Sequence, residues 1–456
     1  MAKIQDITGF LTIDRSLEEA GRKIDMPKTQ AMSAELTGIA AQIGTVTAEW
    51  NVVELCTHSR EVAEREKALL FSAYQQGTHY NPTFHYPFAQ SLDPSRARRE
   101  ILALHAKLHQ FWPTERAELL ASHLLESKII DALATCDLAE AMQRGDENQI
   151  DAALDALYPA IDPASLAAER AEYDLYLTAN RALPGDCSFA ERAFLETRML
   201  SPAEQRVIFE WALECYGLLR HPGAHGIGFQ VKVSPDVFHF DVRHRSAQGP
   251  TVFIPGEPLS ARRVLELVRH EIEAHARQSA NGEALFFLGG AFAQNDETLY
   301  EGLAMRYEYA FIRKHFGPHA YLDPRFFGLA MQCAEDGMSF SSIFALLAEL
   351  YWPMAHSAEA SPAQAHAAAM EHAWSTVYRV FRGHIHTQRI QAAMRKDQAY
   401  IRGEQLDRML CDAGKGYMNE MGIIALRDLP ILAEFALTPD DPVSYTHLTL
   451  PTNREV

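Results

Sequence analysis

Two histidines and a glutamate lie within six consecutive residues, at His270, Glu271 and His275. A second segment rich in carboxylates follows one loop later, and Glu301 lies in it between two further glutamates. A catalytic zinc site uses imidazole and carboxylate groups as three protein ligands and leaves the fourth position to water. These residue types, in this order, predict a zinc site with hydrolytic chemistry.

The spacing between the two histidines is one residue longer than in the common His-Glu-x-x-His pattern. On a regular α-helix, side chains five residues apart are separated by about 140° around the axis, which is too far to share an ion. A π-helical turn has roughly 4.4 residues and returns both rings to one face. The motif therefore predicts a local helix defect between His270 and His275.

Two helices must position these side chains. The first is predicted to begin at Ser260 and to end near Asn281-Gly282, and the valines and leucines between residues 264 and 268 form its apolar side. The second is predicted to begin near residue 295 and to carry its glutamates on one face. The alternative is a charged helix face on which two of the chain's 20 histidines occur by coincidence.

The motif His270-Glu271-x-x-x-His275, followed by Asn281-Gly282 and Glu301-Gly302-Leu303-Ala304, resembles a bacterial family, the flavohemoglobin expression-modulating QEGLA-motif proteins. These are related to the microtubule-associated tyrosine carboxypeptidase, a zinc enzyme that removes the C-terminal tyrosine of α-tubulin. Residues 379–383 and 396–403 resemble that family's C-terminal pattern, and the likeness extends over about residues 30–435. One departure is Tyr300, which occupies the position of the family's glutamine.

The resemblance implies a zincin-like metallopeptidase core with one Zn2+ ion on His270, His275 and Glu301. It implies that Glu271 is the catalytic carboxylate, which takes a proton from water and passes it to the leaving amine. Tyr400 is a candidate hydrogen-bond donor to the oxyanion, with a buried core tyrosine as the alternative. A hydrogen bond from the family's glutamine would be missing at Tyr300.

A carboxypeptidase needs a cation that faces the substrate carboxylate, and the candidates for substrate binding are Lys232, Arg379 and Arg382. The two arginines lie at the end of a predicted helix, where cations are also favourable without a ligand. The predicted function is a zinc-dependent carboxypeptidase that releases a C-terminal tyrosine or phenylalanine from peptides or proteins. The alternatives are an aminopeptidase or dipeptidyl peptidase, and a non-catalytic regulatory protein with a vestigial zinc site.

The composition is that of a globular protein, with 47% hydrophobic and 22% charged residues in a chain of 456. A net charge of −18 argues against nucleic acid or an anionic membrane as partner. Six scattered cysteines indicate reduced thiols, and we find no signal peptide and no apolar run of membrane-spanning length. We therefore expect a cytoplasmic protein.

The predicted fold is mainly α with a small antiparallel β-sheet (α+β). A helical N-terminal region covers residues 1–200, and a catalytic region with the sheet and the C-terminal helices covers residues 201–442. Residues 228–233 and 237–243 alternate in polarity around a turn at Ser234-Pro235-Asp236, and residues 251–254 form a short apolar run. The sheet edge could hold a substrate backbone by strand addition, or the sheet could be purely structural.

Two further features stand apart from this site. His105 and His109 lie one helical turn apart and could bind metal, but no carboxylate is in reach along the same helix, so we expect ordinary surface histidines. Residues 443–456 form a C-terminal tail, of which 443–452 back-translate to a sequence that resembles the end of a transposase sequencing adapter. We expect this tail to be an artefact that does not belong to the fold.

Overall fold

The structure is a computed structural model that describes residues 33–431, except 48–49, 51, 57, 180–184, 221–227, 235–239, 244–248, 286–296, 322–323, 359–360 and 421. The expected tail at residues 443–456 therefore lies outside the described residues. The predicted mainly α fold with a small β-sheet is confirmed. Within the described part of the chain, every helix is too short or too polar to cross a bilayer.

The N-terminal part is helical. Its helices are α1 (Ala34–Thr47), α2 (Val52–Leu55), α3 (Arg60–Gln75), α4 (Pro87–Ser91), α5 (Pro94–Gln110), α6 (Arg116–Arg144), α7 (Glu147–Leu157), α8 (Pro163–Thr178) and α9 (Phe189–Thr197). The start of α5 follows from its sequence, because the Asp93 side chain accepts a hydrogen bond from the backbone N–H of Arg96 and Pro94 occupies the first turn. Gly145 ends α6 in the left-handed conformation, with φ 66°.

The second half begins with α10 (Pro202–Cys215) and the strands, and it continues in helices. These are α11 (Ala261–Leu267), the π-helix Val268–Ala276, α12 (Arg277–Leu285), α13 (Thr298–Phe316), α14 (Phe327–Glu335), α15 (Phe340–Ala358), α16 (Pro362–Val380) and α17 (Gln398–Asp412). Short 3-10 turns lie at Arg395–Asp397, Gly416–Glu420 and Leu426–Asp428.

Two apolar cores organise these elements. The first combines side chains of α1 to α8 with side chains of α14 to α16, such as Phe344 and Val377. Helices from both regions on either side of residue 200 therefore share one core, while the boundary itself stays a prediction. The second core lies between α10, the strands and the π-helix, and includes Phe209, Ile254 and Ile272.

The strands are β1 (Met199–Leu200), β2 (Gln230–Ser234), β3 (Asp241–Arg243), β4 (Thr251–Pro255) and β5 (Leu259–Ser260). β1 pairs with β5, and a three-stranded sheet has the order β2-β4-β3. β3 and β4 are antiparallel as predicted, but β2 pairs with β4 in parallel, so β2 and β3 are not neighbours. β4 lies between the other two strands, and its side chains are buried on both faces of the sheet. The apolar run 251–254 is typical of such a strand.

Helices α13 and α17 cross in close contact at two glycines. A Cβ added at Gly403 would lie 2.0 Å from the backbone oxygen of Thr298, and one added at Gly302 would lie 2.2 Å from the backbone of Gly403. Neither position has room for a methyl group, because the contacting atoms are backbone. Because Glu301 is next to Gly302, this crossing helps to fix the position from which α13 presents Glu301 to the π-helix.

We predict that Gly403→Ala lowers the free energy of unfolding by about 1–3 kcal/mol, because the added methyl group forces the two helices apart. Gly38→Ala is the matched control, since Gly38 lies inside α1 and an added Cβ meets no atom within 4 Å. That control should be more stable than the starting protein by about 0.5–1 kcal/mol, from helix propensity alone. Denaturant unfolding of both variants measures the difference; equal effects would contradict the crossing.

Candidate metal centre

The helix that carries the two histidines begins as the sequence predicts. The Ser260 side chain accepts a hydrogen bond from the backbone N–H of Arg263, and Val264 and Leu265 of α11 are fully buried. From Val268 to Ala276 the backbone is π-helical, and α12 then resumes the regular helix. The predicted helix defect between His270 and His275 is thus observed.

The π-helix directs both imidazoles to the same point as a carboxylate from α13. The Nε2 atoms of His270 and His275 lie 3.4 and 3.9 Å from Oε2 of Glu301. One possible ligand atom from each of the three residues lies within 4.8 Å of the others. Ligands of a tetrahedral zinc ion with bonds of 2.0–2.1 Å are about 3.3–3.4 Å apart, so small rotations would complete such a site.

The donor set also fits a cation by its hydrogen bonding. Oε2 of Glu301 is buried and accepts no hydrogen bond of normal geometry from the described residues. Burial would raise the pKa of Glu301, but the nearby side chains of His270 and His275 hold it below its usual value. An oxygen that stays charged in this position needs a cation close to it.

Glu308 orients the first histidine. Its Oε2 lies 3.0 Å from Nδ1 of His270, and its Oε1 accepts a hydrogen bond of 2.6 Å from Nη1 of Arg263. Burial would raise the pKa of Glu308, but Arg263 and His270 lower it to about 2. A carboxylate on Nδ1 leaves Nε2 with its lone pair toward the centre, which is the usual support of a metal-bound histidine.

Glu271 is the buried carboxylate next to the first histidine. Burial raises its pKa to about 7. The negative charges of Glu301 and Asp241 also raise this pKa, whereas the positive charges of His270 and Arg263 lower it. A carboxyl group with a pKa near neutrality can both accept and release a proton at physiological pH. Its environment therefore suits general acid–base chemistry.

Tyr300, the departure from the glutamine of the QEGLA pattern, stacks on the second histidine. The ring centroids of Tyr300 and His275 lie 3.6 Å apart and the planes differ by 15°. Sequence reasoning anticipated only a lost hydrogen bond here. The stacked phenol ring restricts the rotation of the imidazole by a different contact.

A second charged layer lies behind Glu301. Nζ of Lys396 lies 2.5 Å from Oε2 of Glu297, and Lys396 is within electrostatic range of Glu301 and Tyr400. Tyr400 is half-buried, and its hydroxyl lies 3.4 Å from Nη2 of Arg379. The structure thus places the Tyr400 hydroxyl beside Arg379, and no hydrogen bond among the described residues joins it to His270, His275 or Glu301.

The three candidate substrate-binding cations lie in different places. Arg379 makes a two-point ion pair with Asp397, which is buried, so its charge is already compensated. Arg382 lies over the ring of Tyr378, 5.2 Å from its centroid, and belongs to the surroundings of the first core. Lys232 lies on β2, opposite Phe253 of β4, and makes no ion pair with a described residue.

Sequence reasoning missed the roles of Glu308 and Lys396. A signal for Glu308 was available, because it lies two helical turns after Glu301 on the same face of α13. Nothing in the sequence pairs Lys396 with Glu297, since the two are 99 residues apart and meet only when α13 packs on α17.

The comparison with known families matches this part of the chain. Residues 255–410 match the model of the microtubule-associated tyrosine carboxypeptidase family, so this part of the chain is similar to that family. The matched residues include the π-helix, α13 and most of α17. No curated protein matches the chain in sequence.

We predict that Glu308→Gln weakens binding of a divalent metal at this centre by about 10–100-fold, because His270 loses the charged partner of its Nδ1 atom. Glu266→Gln is the control, because Glu266 also faces Nη1 of Arg263, at 3.0 Å, but makes no described contact with His270. Competition with a chromophoric chelator measures both affinities. An equal loss in the two variants would show that only the charge near Arg263 matters.

Proposed function

We propose that this relative of the microtubule-associated tyrosine carboxypeptidase family is a zinc-dependent metallopeptidase, and that it acts as a carboxypeptidase. The observation that carries the proposal is the convergence of His270, His275 and Glu301 on one buried point, with Glu271 beside it. At the level of the family, the match supports peptidase activity of the carboxypeptidase type.

The proposed reaction is hydrolysis of a peptide bond. A Zn2+ ion held by His270, His275 and Glu301 would polarise a water molecule and lower its pKa toward neutrality. Glu271 would accept a proton from the water molecule as the water oxygen attacks the carbonyl carbon of the peptide bond. Glu271 then delivers the proton to the amine nitrogen as the carbon–nitrogen bond breaks. The position of Glu271, buried and next to the first histidine of the converging set, supports both steps.

One edge of the three-stranded sheet lies where a substrate backbone could bind next to Glu271. β3 pairs with β4 along one edge and has no strand on its other edge among the described residues. It packs against the π-helix, and Asp241 of β3 is within electrostatic range of Glu271. We propose that an extended peptide adds to this edge, because unpaired backbone groups there can hold it next to Glu271.

Three cations are candidates for binding the substrate carboxylate: Lys232, Arg379 and Arg382. Arg379 is a poor one, because its guanidinium already makes two hydrogen bonds to Asp397. Lys232 is half-buried on β2, and Arg382 lies over the ring of Tyr378. We therefore expect Arg379 to stabilise the fold and one of the other two to bind the carboxylate.

We predict that Glu271→Gln retains about one zinc ion per chain and loses at least about 100-fold in kcat, because the proton acceptor is removed and the ligands are kept. Metal analysis and peptide assays on the same preparation measure the two properties. Glu266→Gln is the control for a neutralised buried glutamate and should keep its turnover. Full turnover in Glu271→Gln, or loss of zinc, would refute the role of Glu271.

We predict that a peptide ending in a free tyrosine is cleaved at its last bond, whereas the same peptide with an amidated C-terminus is not, because the amide lacks the charge that the cation binds. Lys232→Ala and Arg382→Ala are compared, and one of them should raise KM for the free peptide. Arg379→Ala should instead lower Tm, because it leaves Asp397 buried without its partner.

The same assay separates the alternatives. Equal cleavage of the free and amidated peptides, or release of residues from the N-terminus, would contradict the carboxypeptidase proposal and favour an aminopeptidase. Bound zinc without cleavage of any peptide in the panel would favour a regulatory protein with a vestigial site.

A further inference from the structure

We propose a second metal site on the N-terminal helices, formed by His105 and His109 of α5 and by Glu126 of α6. The Nε2 atoms of the two histidines lie 2.9 Å apart and share a hydrogen bond, which a bound ion would replace. Oε1 of Glu126 lies 3.5 Å from Nε2 of His105 and 3.3 Å from Nε2 of His109. Two imidazole nitrogens and one carboxylate oxygen therefore point at a common position.

The three distances are close to those of a tetrahedral site. Three ligands with zinc bonds of 2.0–2.1 Å form a triangle with edges of about 3.3–3.4 Å. The three observed edges lie on both sides of this value and average close to it. Metal binding would require only a small separation of the two histidine rings.

The sequence favoured ordinary surface histidines over this site because the helix of the two histidines carries no carboxylate in reach. His105 and His109 are four residues apart, so both lie on the same face of α5. The carboxylate comes instead from α6, which follows α5 after a short connection and packs against it. The expectation of ordinary surface histidines therefore left out a ligand that only the packing of the two helices supplies.

The surroundings of the cluster are open to solvent. A cavity of about 240 Å³ adjoins the cluster and is lined by His109, Glu126 and His123 together with apolar side chains. Nδ1 of His123 lies 3.9 Å from Oε2 of Glu126. The side chain of His109 is 59% exposed and that of Glu126 is 34% exposed, so an ion can exchange with solvent.

The donor set indicates which ions fit. Two imidazoles and one carboxylate suit Zn2+ and the neighbouring divalent ions Co2+ and Ni2+, whereas Ca2+ and Mg2+ prefer sites built from oxygen. A bound ion would link α5 to α6 and would stabilise the folded chain according to its concentration and affinity. The site lies on helices of the first core and is therefore separate from the centre at the π-helix.

The test uses the full chain with His270 and His275 both changed to alanine, stripped of metal by a chelator, so that the π-helix centre does not contribute. Zn2+ is titrated in competition with a chromophoric chelator, and Co2+ absorption reports on the geometry. We expect one ion per chain with the intense visible bands of a tetrahedral Co2+ site. His109→Ala and Glu126→Gln should each weaken binding at least about tenfold.

The control is His85→Ala, which removes an exposed histidine from a loop and should leave binding unchanged. If the double alanine background does not fold, the stoichiometry of the otherwise unchanged chain replaces it and should fall by one ion in His109→Ala. Binding only at millimolar Zn2+, or binding that is equal in Glu126→Gln, would overturn the site. Neither result depends on peptidase activity, so failure here leaves the proposed function untouched.

Discussion

The centre depends on the burial of three carboxylates in one place. An ionised carboxylate that leaves water loses several kcal/mol of hydration, so each needs a compensating charge or a proton. Glu308 is compensated by Arg263 and His270, and its pKa falls to about 2. Glu271 has weaker compensation, and its pKa rises to about 7. Glu301 stays charged between the two, which is why a cation suits the point that it shares with the histidines.

The parts of this arrangement that follow from local rules could be predicted from the sequence. The cap at Ser260, the π-helical turn and the convergence of the two histidines depend on residues that are near each other along the chain. The order of the sheet could not be predicted. The sequence Ser234-Pro235-Asp236 favours a hairpin of neighbouring strands, whereas the burial of the apolar residues 251–254 favours β4 in the centre. The partners of Arg379 and His109 were hidden for a related reason, since Asp397 and Glu126 come from other elements.

The division of the apolar side chains into two cores gives the molecule two separate places where helices meet. The π-helix of His270 contributes to the second core, and α13 of Glu301 meets it at a small cluster of Ala274, Leu303 and Ala304, whereas Glu126 and His109 lie on helices of the first core. Effects of substitutions more than about 7–10 Å apart usually add, so stability changes at the two candidate centres should be separable. The Gly302–Gly403 contact belongs only to the centre at Glu301, because it joins α13 to α17.

The π-helix can also be regarded as a change in chain length. Its extra residue is equivalent to one insertion between the histidines of a His-Glu-x-x-His helix. Deletion of that residue would restore regular spacing, but it would turn everything that follows by about 100° and shift it by about 1.5 Å. Gln278 of α12 would then lose its hydrogen bonds of 2.6 and 3.0 Å to the backbone oxygens of Asn419 and Gly422. The two motifs thus differ by a single codon, but deletion of that codon would disrupt the contacts of α12 with the C-terminal segment.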